Sequence, residues 1–390
     1  MRIGTLEVNV NPTFPVNRML SKEKHQKVVD DLNCRLVVFD KGEGKPFIHL
    51  SMDTVELYRW FRDRLKAGIE EALGREVDLV TSATHSHFCP CLTTDTAYQD
   101  FVYERVVGAL DQIAYTEVGE LTYTYRYRPF DKVGTSRLSG HGAANIFAET
   151  LSFYGDGRRL VTFLMYNSHA TTMQLGQGDF TSEYIGRSIA GLKEAHPGEF
   201  FTFMLGPAGD VSPRNTRRSQ EYGEMVRLAA LVQEEFEEQL SEPGEQRPAS
   251  TMVYREEEVP IGRADPDLSG IPMPENASER ELKGIEMARS GSNLMPVDFA
   301  SRPKSHLFAH WVVSPEYSVI FEPFEMFSTY YDAVDKERCS LVTISNSFDH
   351  YVCELDPKAL SMELFTDNVT RETKLQMCAL FGRWSAQEDL

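Results

Sequence analysis

The stretch Thr81 to Cys91, TSATHSHFCPC, sets two histidines one residue apart, then two cysteines one residue apart. Imidazole nitrogen and thiolate sulfur both ligate zinc-like ions, so His85, His87, Cys89 and Cys91 are candidate metal ligands. On a regular strand, residues two apart leave the same face, which would put both rings on one side. A polar turn is the plainer alternative. A third histidine, His169, sits in NSHATTM behind another apolar run. A further cluster, GPAGDVSPRN from Gly206 to Asn215, joins glycines that admit close backbone approach to Ser212-Pro213, a natural helix-start pair. It reads either as a helix start alone or as exposed N–H groups for an oxyanion, with Ser212 within reach of substrate.

Such chemistry needs several loops fixed on one rim, and the surrounding pattern supplies it. CRLVVFD (34–40) and PFIHLSM (46–52) are short apolar runs that suit buried strands. The spacing in 55–73 predicts a helix, capped by Asp53 or Thr54 and stopped at Gly74. A strand then leads into THSH, a helix follows over 98–114, and LTYTYRYRP (121–129) alternates as a half-exposed strand. The middle repeats the theme: a strand ending in His169, a helix over 183–196, a strand emptying into GPAGDVSP, and a long helix over 219–240. Each reactive-looking cluster thus follows an apolar strand, as sites in α/β folds do. The expected fold is α/β, with mixed sheets flanked by helices and a metal site at strand ends. Residues 1–240 form the first part of one catalytic domain, 241–250 (SEPGEQRPAS) a linker-like loop, and 251–390 its remainder. Within that remainder, the polar tract 263–304 reads as an elaboration carrying one helix, SERELKGIEMARS.

Bulk composition narrows the function. Asp and Glu outnumber Lys and Arg by 59 to 40, giving a net charge of −19 that repels phosphate backbones and anionic lipid. No nucleic-acid partner and no stable membrane association are expected. MRIGTLEVNVNPT has no apolar stretch behind a basic one, so the expected location is cytoplasmic. Six cysteines in a chain of 390 residues do not make a disulfide framework. Cys34, Cys339, Cys353 and Cys378 lie among apolar neighbours as small buried hydrophobes.

THSH, NSHATTM and GDVSP occur in that order, each after a strand, and the set resembles the neutral/alkaline non-lysosomal ceramidases. That family carries a THTHSGP-like loop, a later histidine before a small Thr/Ser-rich stretch, and GDVSPN. GTLEVNVNPT is similar to its opening strand, LSMDTVEL to the strand before its first long helix, and FTSEYIG to its S-A-D-[FY]-P-G turn. VGTSRLSG resembles its N-x-x-R segment, which points to Arg137 as a substrate-binding arginine. The resemblance runs over roughly residues 3 to 365 and implies a zinc ion held by His85, His169, Glu322 and Tyr351. Glu322 comes from FEPFEMF, where Glu325 is the rival, and Tyr351 from NSFDHY. Two histidines, a carboxylate and a tyrosine with an open position form a hydrolytic site rather than a structural one. His87, Arg137, Ser212 and Asp210 are the implied catalytic residues, with Ser212 either nucleophile or hydrogen-bond donor.

Departures from the family pattern bear on the substrate. Asn9 and Glu183 each replace an aspartate, Glu363 stands near an expected tyrosine, and Cys89 and Cys91 replace two small residues. The secreted ceramidases' signal peptide and C-terminal accessory domain have no counterpart here. The implied activity is hydrolysis of a C–N bond in a small-molecule amide other than ceramide, with Cys89 and Cys91 lining the pocket. Alternatives are an esterase, lactonase or lyase on the same fold, or a non-catalytic metal-binding or redox-sensing protein using Cys89 and Cys91. Oligomeric state is not readable.

Overall fold

Alternating apolar runs build three main sheets, which meet in one interior. The computed structural model describes residues 1–18, 23–140, 145–174, 179–291 and 302–388. The first sheet has the order Asp78–Ala83, Phe47–Met52, Asn33–Asp40, Arg2–Asn9, Ala114–Glu117. Its first two strands run parallel and the others antiparallel. The second sheet repeats that plan: Phe200–Leu205 lies parallel to Arg158–Tyr166, followed by Phe147–Gly155, Leu121–Pro129 and Arg247–Pro248. The third runs Val253–Pro260, Ser305–Ser314, Tyr317–Phe321, Cys339–Val342, its last pair again parallel. This is an α/β fold of mixed sheets.

The two faces of the sheets account for the unbroken apolar runs. One face of the first two sheets packs against Arg59–Leu73, Thr96–Gly108, Glu183–Ala195 and Tyr222–Ser241, through residues such as Leu36, Ile48, Leu65, Val102, Ile189 and Leu228. The opposite faces meet the third sheet, where Phe39 lies 4.8 Å from Phe153 and 5.3 Å from Trp311 between ring centroids. Arg371–Ser385 closes the third sheet, with Phe381 and Trp384 buried in that second core. Strands buried on both faces need no polar alternation.

Boundaries differ from the expected ones in instructive places. The first helix begins at Arg59, not Val55, because residues 53–58 have other duties. Asp53 receives two 3.0 Å bonds from buried Arg35, and the Val55 carbonyl accepts from His85. Gly74 does end the helix in the left-handed conformation, φ 66°. The next helix stops at Gly108, with a short 3₁₀ turn before the edge strand Ala114–Glu117. Residues 241–250 include Arg247-Pro248, which pair with Thr122 and Tyr123 of the second sheet. In the tract 263–304, Glu279–Arg289 is helical behind a capping box of Ser278 and Glu281, and residues 292–301 lie outside the described residues. No helix among the described residues is long and apolar enough to cross a membrane.

Candidate metal and catalytic site

The parallel strand pairs of the three main sheets deliver their C-terminal ends to one cavity of about 370 Å³. His85 lies just beyond Asp78–Ala83 in the left-handed region, φ 57°. A non-glycine residue held there costs roughly 1–3 kcal/mol, which the surrounding contacts must offset. So the two rings of THSH do not share a side by strand alternation. The left-handed turn brings them together, centroids 4.7 Å apart and nearly perpendicular. His169 lies three residues past the end of Arg158–Tyr166. The two loops are stitched by a bridge between Ser86 and Ala170 and by the His87 N–H, which donates to the Ala170 carbonyl at 3.3 Å.

Backbone carbonyls decide which nitrogens are available. His85 Nδ1 is 2.7 Å from the Val55 oxygen, and His169 Nδ1 is 2.9 Å from both the Ala208 and Val211 oxygens. A carbonyl only accepts, so each Nδ1 carries the hydrogen and each Nε2 presents its lone pair. Ligand nitrogens of His85, His87 and His169 all lie within 4.8 Å of one another. Burial first, then the charges of His85 and His169, hold His87 well below its ordinary pKa. Burial and the nearby Arg137 bring His169 down to about 4. Neutral imidazoles are the form that binds metal.

The carboxylate beside them is Glu325, not Glu322. Glu325 Oε1 lies 2.7 Å from His169 Nε2 and 3.5 Å from His85 Nε2. Burial alone would raise its pKa, yet the two histidines hold it well below the usual range. Glu322 instead folds back to accept from the Phe324 N–H at 2.7 Å, and burial pushes its carboxyl up to about 8. Within FEPFEMF, a structural acid and a site acid stand three positions apart. Tyr351 pairs with Glu325 in the short parallel ladder of Phe324–Met326 with Asp349–Val352. Arg137 ties this side of the cavity together, donating to the Gly209 carbonyl at 2.7 Å and the Tyr351 hydroxyl at 3.0 Å. It also lies 3.1 Å from Glu363 Oε1. The glutamate that departs from the family pattern is therefore a pocket residue on Arg137.

Ser212 is buried at the cavity wall, and its Oγ accepts from the Arg214 N–H at 3.3 Å. Asp210 does not line the cavity. Its oxygens accept from the Ser328 N–H at 2.6 Å and Oγ at 2.8 Å, so it positions the GDVSP loop and touches nothing that could react. Cys89 and Cys91 do not line it either, contrary to expectation. Their sulfurs approach the Thr181 carbonyl at 3.6 Å and Thr93 Oγ1 at 3.0 Å. Both point into packing behind the loop, so neither joins the histidine group. Arg214, at the far end of GDVSPR, was not among the sequence-based candidates. Its charge beside a site serine was the available signal.

The donors present fit a metal ion. His169 Nε2 and Glu325 Oε1 are buried and, although 2.7 Å apart, lack the alignment of a hydrogen bond. Unsatisfied buried acceptors converging on one point cost free energy unless a cation or water joins them. Two imidazole nitrogens and a carboxylate are a donor set that zinc takes in open sites.

Two solved structures share this fold. One, described as "Ceramidase complexed with C2", superposes with a TM-score of 0.77 at 12% identity, over 100% of this chain and 75% of that one. The other, neutral ceramidase from Pseudomonas aeruginosa, gives 0.77 at 12% identity over 99% and 74% of the two chains. No protein-family model and no curated protein matches the sequence. The fold is ceramidase-like, and at that identity the likeness is one of fold alone.

Proposed function

We propose that the protein is a zinc-dependent hydrolase that cleaves the C–N bond of a small amide. The observation that carries this reading is the convergence of His85 Nε2, His169 Nε2 and Glu325 Oε1 in one buried cavity, each histidine oriented by a backbone carbonyl. These three residues would hold the ion, with Tyr351 as fourth donor. Zinc bound there would lower the pKa of a water molecule towards neutrality and polarise a carbonyl. Hydrolysis places the water oxygen on the acyl carbon, breaks the C–N bond and returns a proton to the leaving nitrogen. His87, neutral and half-buried at the cavity, would accept the proton from the attacking water and pass it on. Arg137 holds Tyr351 and Glu363 in place and presents charge to a developing oxyanion. Ser212 Oγ serves as a further hydrogen-bond donor at the wall.

Two facts about the chain support a cytoplasmic enzyme of small molecules without nucleic-acid or stable membrane partners. One is its acidic balance; the other is the lack, among the described residues, of a helix able to cross a membrane. Metal analysis of purified protein, joined to a panel of amide, ester and lactone substrates, tests the reading. A stoichiometric zinc ion, amide turnover and loss of both in His85→Ala are expected. Metal-free protein with undiminished amidase activity would overturn it, and turnover of esters alone would move the reaction to the esterase alternative.

A further inference from the structure

The cavity also presents three arginines that the proposed metal centre does not use. Arg214, Arg217 and Arg280 all face it, in a chain whose net charge is −19. Arg217 donates to the Thr171 and Thr172 carbonyls, which leaves its charge unneutralised. Arg280 stands on the first turn of Glu279–Arg289, the helix of the polar tract, which is anchored by Glu281 accepting from the Ser139 N–H at 2.8 Å. Arg214 is half-buried, and its guanidinium has no hydrogen bond or ion pair among the described residues. The carboxylate that acts on it, Glu363, already serves Arg137. Burial, then repulsion from Arg137 and Arg280, draw the Arg214 pKa down to about 10. A guanidinium seldom stands half-desolvated among like charges without a counter-ion. Apolar side chains share the lining with these arginines: Phe88, Leu138, Met173, Ile285, Phe348 and Met362.

We propose that the substrate is an anionic amide, an apolar acyl chain joined to an amine that carries a carboxylate or phosphate, with Arg214 as the anion receptor and Arg217 and Arg280 beside it. The planar fork of Arg214 suits two oxygens of one anion, and the apolar side chains take the acyl chain. Because the whole molecule is acidic, this recognition acts at contact distance rather than by steering. The tract that carries Arg280 thereby becomes a determinant of specificity.

This inference rests on the hydrolase reading, and the experiment separates the two. Binding of octanesulfonylglycine and of neutral octanesulfonylethanolamine, neither of them cleavable amides, is measured by calorimetry on the purified protein. The anion should bind roughly ten- to hundredfold more tightly, as expected for charge-assisted bonds to a partly buried arginine. The ratio should collapse in Arg214→Gln and be partly kept in Arg214→Lys, with unchanged melting temperatures showing that both variants fold. Equal binding of the two probes, or a ratio untouched by Arg214→Gln, overturns the proposal. Turnover of N-octanoylglycine, N-octanoylethanolamine and N-octanoyl-O-phosphoethanolamine supplies the second readout. Cleavage without charge preference defeats the anion receptor and spares the hydrolase. A binding preference with no cleavage does the reverse. The tighter of the carboxylate and phosphate forms identifies the anion.

Discussion

At the scale of single residues, the site turns on which of two glutamates three positions apart reaches the histidines. Glu325 Oε1 is 2.7 Å from His169 Nε2, whereas Glu322 is spent on the Phe324 N–H. Replacing each by its amide separates the roles. Glu325→Gln removes the only carboxylate within 4.0 Å of His85 and His169 among the described residues and should lower bound metal at least about tenfold in metal titrations. Glu322→Gln should leave metal uptake intact, because a carboxyl pushed up to about 8 is mostly neutral at pH 7 and its amide can still accept from Phe324. Equal loss of metal binding in both variants would contradict this assignment. The sequence could not make the choice. FEPFEMF offers two acids of like context, and the strand Tyr317–Phe321 ends one residue before Glu322. Only the turn through Pro323 decides that Glu325 re-enters a short strand facing the cavity.

At the scale of elements, the strand-end rule made most of the site legible. Apolar runs mark the parallel strands; His85 and His169 follow two of them within three residues, and Ser212 lies in the loop that follows a third. The helix starts at Arg59 rather than 55 because periodicity cannot reveal that the Val55 carbonyl is taken by an imidazole 30 residues later. Cys89 and Cys91, expected to line the pocket, fail for a related reason: short spacing puts them next to THSH in the chain, but the loop buries both thiols away from the cavity. Loop placement also explains GDVSP. Gly209 lies against the Phe324–Met326 strand, donating its N–H to the Met326 carbonyl at 2.7 Å. A Cβ there would meet the Glu325 and Met326 carbonyl oxygens at 2.7 and 2.9 Å, backbone atoms that cannot rotate away. Gly209→Ala should therefore destabilise the fold by roughly 1–3 kcal/mol, as overpacking does. It should also depress activity more than stability at 25 °C would explain, since the strand it displaces carries Glu325. Urea melts set beside turnover at saturating substrate test this. A variant with wild-type stability and turnover would show that the loop and strand can separate without harm to the site.

At the scale of the whole molecule, three sheets each contribute a part of the site, so their relative placement is itself a functional quantity. His49 sits at that junction. It is fully buried, shares a 2.9 Å hydrogen bond with Ser82, and packs on Phe163 of the second sheet and Phe321 of the third. Burial lowers its pKa to about 3. His310, stacked on Trp384, is also near 3, from burial and then the charge of Arg255. In the unfolded chain both titrate near 6.5. Between roughly pH 6.5 and 3 the unfolded state therefore binds protons that the folded state refuses, so stability is complete above that window and falls as pH drops through it. Each histidine contributes a slope of about 1.4 kcal/mol per pH unit inside the window. Replacing His49 by Gln keeps a polar partner for Ser82 and removes one proton from this balance. The stability difference between pH 7 and pH 5, from urea midpoints at constant ionic strength, should shrink by about 2 kcal/mol in His49→Gln. An unchanged difference would mean that the acid sensitivity of the three-sheet junction resides elsewhere, and that His49 is protonated within the fold without cost.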